Sequence, residues 1–160
     1  MEIQAHIIVL KEICKRLHGK NIDWALTGSL SFALQGIETE VHDIDIQTNA
    51  ERAYRIEDIF CEFIEKEVAW LESQKIRSYF GVLLINTVKV EIMGALSKKL
   101  TNGNWEQSVD IRKYRKLVQV DKISVPVLSL SYESEAYQKL GRTEKAEILK
   151  DHIRKANPPL

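Results

Sequence analysis

The chain has 160 residues, 44% of them hydrophobic and 29% charged, and its 23 basic and 23 acidic side chains cancel. That length suits a single domain, residues 1–157, with a core that needs no staples, and the composition excludes both a disordered chain and a membrane protein. Neutrality argues against non-specific nucleic-acid binding, which rests on excess cationic charge, so a nucleic-acid partner is left to a local patch; no charged-then-apolar leader opens the sequence, and the cytoplasm is the default location.

Ile3, Ile7, Leu10, Ile13, Cys14 and Leu17 recur at helical spacing and predict a helix over 2–18 that ends near Gly19. A short apolar strand at about 23–27 enters a Gly28-Ser29 turn, a helix follows from Ser29 to Gln35, and Gly36 closes it. Val41 to Gln47 reads as a strand. Asn49 is a plausible N-cap for a helix through Ala53, Ile56, Ile59, Phe60, Phe63 and Ile64 to about Glu67. Cys14 and Cys61 lie in these helical patterns at a spacing no zinc motif uses, and read as buried free thiols, with a disulfide the second reading. Trp70-Leu71 fits core packing better than an adenine pocket.

Arg77–Ile85 and Val88–Met93 form a predicted hairpin around Asn86-Thr87. Gly94 and the polar run Ser97–Asn104 predict a loop in which Lys98 and Lys99 are solvated rather than bound to a triphosphate. Ser108–Val120 is extended, Asp121-Lys122 turns, and Pro126 places the strand Ile123–Leu128 at an edge. A helix starts at Ser131 with Glu133 in its favourable first turn. Gly141 breaks it, a second helix runs from Thr143 to about Arg154, and Asn157-Pro158-Pro159 stops the fold.

The chemistry concentrates at two places. On a strand, Asp43 and Asp45 share one face while His42, Ile44 and Ile46 take the other, which makes His42 structural. Two adjacent acids repel, and a hard divalent ion such as Mg²⁺, which takes one or two carboxylates plus substrate phosphates, relieves this. The strand-turn-helix junction upstream suits an anion: Gly28 permits close backbone approach, and Ser29 is either the N-cap or a hydroxyl donor to phosphate. In the second hairpin strand, Val88, Val90 and Ile92 take the core face and Glu91 the opposite one, so Glu91 is the candidate third ligand or base of a two-metal site. Around the Gly141 break, Lys139, Arg142 and Lys145 form a candidate cationic rim, while Tyr132 and Tyr137 either stack on a base or pack with their hydroxyls at the surface.

Gly28-Ser29, Asp43-Ile44-Asp45 and Glu91, in strand, helix, strand, helix, strand, strand order, resemble the nucleotidyltransferase superfamily with the DNA polymerase beta type of catalytic domain. The Ala33-Leu34-Gln35-Gly36 helix end, Gly103-Asn104-Trp105, Val125-Pro126-Val127-Leu128 and the tail with Lys139, Arg142 and Lys145 resemble its lincosamide and aminoglycoside adenylyltransferase group. The resemblance implies an α+β fold: a mixed, mostly antiparallel sheet with helices on one side and a short C-terminal helical hairpin. It also implies transfer of a nucleoside monophosphate, AMP from ATP, to a hydroxyl acceptor with release of pyrophosphate. Asp43, Asp45 and Glu91 would serve two Mg²⁺ ions, and Gly28 and Ser29 would cradle the β- and γ-phosphates. Departures lie at Glu38-Thr39-Glu40-Val41-His42, where the family often carries an arginine, and at Glu147, two residues rather than one after Lys145. The rivals are a non-catalytic nucleotide- or partner-binding module of the same fold, a toxin/antitoxin-type enzyme acting on protein or tRNA, and an Asp-x-Asp glycosyltransferase, for which the chain is short.

Overall fold

The computed structural model describes residues 3–156, and the expected Asn157-Pro158-Pro159 stop lies outside them. In chain order the elements are α1 (Ile3–Leu17), β1 (Trp24–Thr27), α2 (Gly28–Leu34), β2 (Ile44–Thr48), α3 (Ala50–Ile59), β3 (Ile64–Glu72), β4 (Ile76–Ile85), β5 (Val88–Lys98), β6 (Arg115–Val120), β7 (Ile123–Leu128), α4 (Leu130–Lys139) and α5 (Thr143–Ala156). Single 3₁₀ turns occupy Cys61–Phe63 and Ile111–Lys113. Seven strands make one sheet in the order β3-β4-β5-β2-β1-β7-β6, and β2 with β5 and β1 with β7 are its parallel pairs, the rest being antiparallel. This is the expected α+β fold with a mixed, mostly antiparallel sheet. No described helix is long and apolar enough to cross a membrane.

Alternation along the central strands sorts the side chains between two faces. Leu26, Ile44, Ile46, Val90 and Ile92 pack in one cluster with Leu10 and Ile13 of α1 and Ala53 and Ile56 of α3. Burying each such aliphatic side chain contributes roughly 1.5–3 kcal/mol as an upper figure. The opposite face carries Ala25, Thr27, Asp45, Gln47 and Glu91. It is not left to solvent: α4 lies across it, with Tyr132 against Ala25 and Leu128. Helices therefore cover both faces rather than the expected one, because all four residues of β1 are buried and the apolar Ala25 on the second face needs a cover. Phe32 of α2, Leu130 of α4 and Leu149 of α5 form a third cluster, and the Ser134 hydroxyl donates to the Ala146 carbonyl at 3.0 Å, closing the C-terminal helical hairpin.

Several local expectations hold in detail. Asn49 caps α3, its side chain accepting the Arg52 N–H at 2.8 Å. Asn86 and Thr87 both take positive φ, 49° and 69°, as a two-residue hairpin turn that follows the strand twist requires.

Others are corrected. The helix expected to reach Glu67 stops at Ile59, and the rest of that run becomes the 3₁₀ turn Cys61–Phe63 and the start of the edge strand β3, in which only Val68 is buried. Trp70, expected in the core, is 48% exposed on that edge. The loop expected from Gly94 is instead the continuation of β5 through Lys98. Ala95 takes φ +53° there, and a Cβ on Gly94 would stand 2.8 Å from both the Ala53 Cβ and the Asn49 carbonyl, so the strand passes α3 where only glycine fits. Only the end of the extended stretch 108–120 is a strand, β6. β7, with Pro126, is interior, since β6 takes the edge; its parallel pairing to β1 is confined to Leu26↔Val127, and so brief a ladder accommodates a residue without an N–H. α4 begins at Leu130 with Ser129 as its N-cap, one residue earlier than expected. Both cysteines are free, but Cys61 is exposed and Cys14 only half-buried, its thiol pushed up to about 11 by burial.

Candidate active site

β2 and β5 run parallel in a register that sets Asp45 beside Glu91 and Ile44 beside Val90. Neighbouring strands lie roughly 4.8 Å apart, so the two acids emerge side by side on the face away from α1 and α3. Asp43 sits just ahead of β2, two residues before Asp45. Its charge bears on both others: burial and Asp43 raise the Glu91 carboxyl, and Asp45 is pushed up to about 8 by burial first, then by Glu91, Asp43 and Glu133, with Lys145 opposing. The structure thus brings together the three acids that were singled out. Among the described residues no three Asp, Glu, His or Cys side chains converge closely enough to cage an ion alone. The donor set is one of hard oxygens, the kind a divalent ion takes.

The Gly28-Ser29 turn abuts this cluster. Thr27 pairs with Asp45 across β1 and β2. Gly28 has φ +75°, and a Cβ there would fall 2.3 Å from the Asp45 Oδ2, so glycine is required both by the left-handed backbone and by the carboxylate packed on it. Ser29 is not the N-cap. It lies inside α2, and its hydroxyl accepts the His42 N–H at 3.0 Å, tying the helix to the segment that delivers Asp43. The His42 carbonyl in turn accepts from His6 Nε2 at 2.6 Å, so the structural part His42 plays is played by its backbone. Thr27 holds the N-cap position without capping, because its hydroxyl donates to Glu133 of α4 at 2.6 Å.

A cavity of about 160 Å³ opens over this face, lined among others by Thr27, Gly28, Asp45, Gln47, Lys98, Glu133, Tyr137 and Arg142. The three expected cations part company here. Arg142 lines the cavity with its guanidinium 4.9 Å from the Tyr137 ring centre. The Lys145 ammonium sits 5.3 Å from the same ring and 5.8 Å from Phe32, and is lowered by burial and by Arg142 against the pull of Glu133 and Asp45. Lys139 instead pairs with Glu106 at 3.4 Å, outside the cavity lining. Tyr137 is the platform under the two cations, and Tyr132 is 8% exposed and stacked on Tyr114 at 4.6 Å, so both tyrosines pack.

Two further residues of this region escaped the sequence reading. Lys98, expected in solvent, is 3% exposed and bonded to Glu106 at 2.8 Å. Strand alternation carried past Met93 would have found it, had the Ala95 bulge been visible. Glu133, read as a helix-end acid, is 4% exposed and pushed up to about 7 by burial, against the bonds from Thr27 and Gly28 and the charges of Lys98 and Lys145.

Comparison with known proteins agrees with this fold. The family model described as aminoglycoside-2''-adenylyltransferase matches residues 9–155. The crystal structure of a presumptive nucleotidyltransferase from Thermotoga maritima is 50% identical, with a TM-score of 0.84 over 97% of this chain and 96% of that one. The crystal structure of ANT(2'')-Ia in complex with adenylyl-2''-tobramycin shares the fold at 15% identity, with a TM-score of 0.55 over 95% of this chain and 98% of that one. No curated protein matches. With nearly the whole domain matched by one family model, and half its residues shared with a close structural relative, the chain belongs to the aminoglycoside-2''-adenylyltransferase family and is a nucleotidyltransferase.

Proposed function

We propose that the protein transfers AMP from Mg²⁺-bound ATP to a hydroxyl of a small acceptor. The observation that carries the reading is the pairing of Asp45 with Glu91 on one sheet face, with Asp43 just ahead of β2 and the Asp45 carboxyl pushed up to about 8 by burial and by its acidic neighbours. Asp43 and Asp45 would hold two magnesium ions together with the phosphates. When bound, these supply charge neutralisation at the α-phosphate and at the departing pyrophosphate.

The chain's own groups do the rest. The acceptor oxygen attacks the α-phosphorus, the bond from that phosphorus to the bridging oxygen breaks, and pyrophosphate leaves with the electron pair. Glu91 takes the acceptor proton: it stands beside Asp45 in the sheet, and its carboxyl is raised by burial and Asp43. Arg142, which lines the cavity, and Lys145, whose ammonium is drawn by Glu133 and Asp45, would face the triphosphate, and the Gly28-Ser29 turn would give it a surface it can approach closely. Lys139, held by Glu106, is left out of this reading. ANT(2'')-Ia was captured with an adenylylated aminoglycoside, which makes an aminoglycoside hydroxyl the first acceptor to try.

The test is release of labelled pyrophosphate from each nucleoside triphosphate with Mg²⁺, across a panel of aminoglycosides, lincosamides and tRNA. Release should need ATP, the metal and an acceptor, and Asp45→Asn should abolish it. An Asp45→Asn protein as active as wild type would remove the metal assignment. Tight nucleotide binding without turnover on any acceptor would favour the non-catalytic module.

A further inference from the structure

One buried acid has no part in that chemistry. Glu133 projects from α4, accepts the Thr27 hydroxyl at 2.6 Å and stands 3.4 Å from the Gly28 nitrogen on the same oxygen. A threonine at an N-cap ordinarily turns its oxygen toward its own helix, yet Thr27 makes no such bond and gives its proton to α4 instead. The conformation of the turn is therefore set by a different helix from the one it starts. Any shift of that turn passes to Asp45, which is paired with Thr27 in the sheet and packed directly on Gly28. Beyond Gly141 the same hairpin carries Arg142 and Lys145, and Ser134 bonds it shut at Ala146.

We propose that Glu133 is a positioning residue that locks the Thr27-Gly28 turn to the C-terminal hairpin, fixing the spacing between the acidic and cationic walls of the nucleotide site. The inference rests on the reading of that site as one for ATP. What the lock needs is an oxygen that accepts from two donors, not a charge. A glutamine carbonyl meets that need, whereas alanine removes the partner of the Thr27 hydroxyl, on a residue only 7% exposed.

Calorimetric binding of α,β-methylene ATP with Mg²⁺, which needs no acceptor, tests this on the full chain, with melting temperatures measured in parallel. Glu133→Ala should weaken binding about tenfold or more, and Glu133→Gln should stay within about threefold of wild type. Thr27→Val should weaken binding too, and the Glu133→Ala/Thr27→Val double variant should be no worse than Glu133→Ala alone, since the bond that Thr27→Val removes is already lost in Glu133→Ala. Glu133→Ala with lower melting temperature and unchanged affinity means a purely structural bond and overturns the proposal. Tighter binding in both Glu133 variants means the carboxylate repels the triphosphate, and overturns it as well. So does Glu133→Gln binding as weakly as Glu133→Ala. Should Glu133→Ala not fold, unchanged affinity in Thr27→Val overturns it. A wild type that binds no analogue removes the ATP reading and this inference together; a wild type that binds alongside unaffected variants removes the inference alone.

Discussion

Raising the pH of the metal-free protein from 7 to 9 forces a charge onto Asp45 beside three other carboxylates. In the folded chain its carboxyl is held at about 8, whereas in the unfolded chain it returns to roughly 3.9. A folded value above the unfolded one means that the native state binds the proton more tightly, so the associated stability is complete below about pH 4 and is lost as pH rises through 8. Between pH 7 and 9 the native state releases roughly 0.8 proton that the unfolded state has already lost, which costs about 1.4 kcal/mol. For a domain of this size that corresponds to a fall of about 3–6 °C in melting temperature. Asp45→Asn has nothing to titrate there, and the difference between the two chains isolates this site. Scanning calorimetry in chelator should show wild type falling relative to the variant across that window, and millimolar Mg²⁺ should reverse the fall in wild type only. Parallel pH profiles for the two proteins would refute a raised Asp45 carboxyl.

Gly28→Ala must place a methyl 2.3 Å from the Asp45 oxygen at φ +75°; the backbone penalty alone is about 1–2 kcal/mol, and the variant should lose Mg²⁺-dependent stabilisation in a melting assay as Asp45 is displaced. Retained stabilisation would mean that the turn yields without moving the carboxylate. The Lys98 and Glu106 side chains are 4% and 10% exposed, so Lys98→Met, which leaves the glutamate only its longer contact with Lys139, should cost up to about 3 kcal/mol in urea unfolding, and adding Glu106→Leu should recover most of it. A double variant no more stable than the single one would show that the pair stabilises through its charges.

The acidic face was legible because alternation is a local property: Asp43-Ile44-Asp45 and Val90-Glu91-Ile92 each sort themselves between two sides of a sheet, whichever strands turn out to be neighbours. The helix N-cap at Asn49 and the two-residue turn at Asn86-Thr87 were legible for the same reason. The register that puts Asp45 beside Glu91 is a property of the assembled sheet, and no spacing in the chain states it. β3 was missed because Phe60, Phe63 and Ile64 continue a helical spacing across the point where α3 ends, and an edge strand with one buried side chain has too weak an alternation to compete. Lys98 and Glu133 were misread because a charge matched by a distant partner looks, in sequence, like a charge facing water. Glu106 lies eight residues from Lys98, but Thr27 lies 106 from Glu133.

Because Asp45 and Glu91 come from adjoining strands rather than from loops, their separation is indifferent to what happens in the connections between them. Residues 37–42, outside any regular element, can lengthen or shorten while Asp45 and Glu91 keep their places, and of the three acids only Asp43, at the end of that segment, moves with it. One residue added within β2 has the opposite effect. It would rotate Asp45 toward α1 and α3, into apolar packing where no ion could reach it.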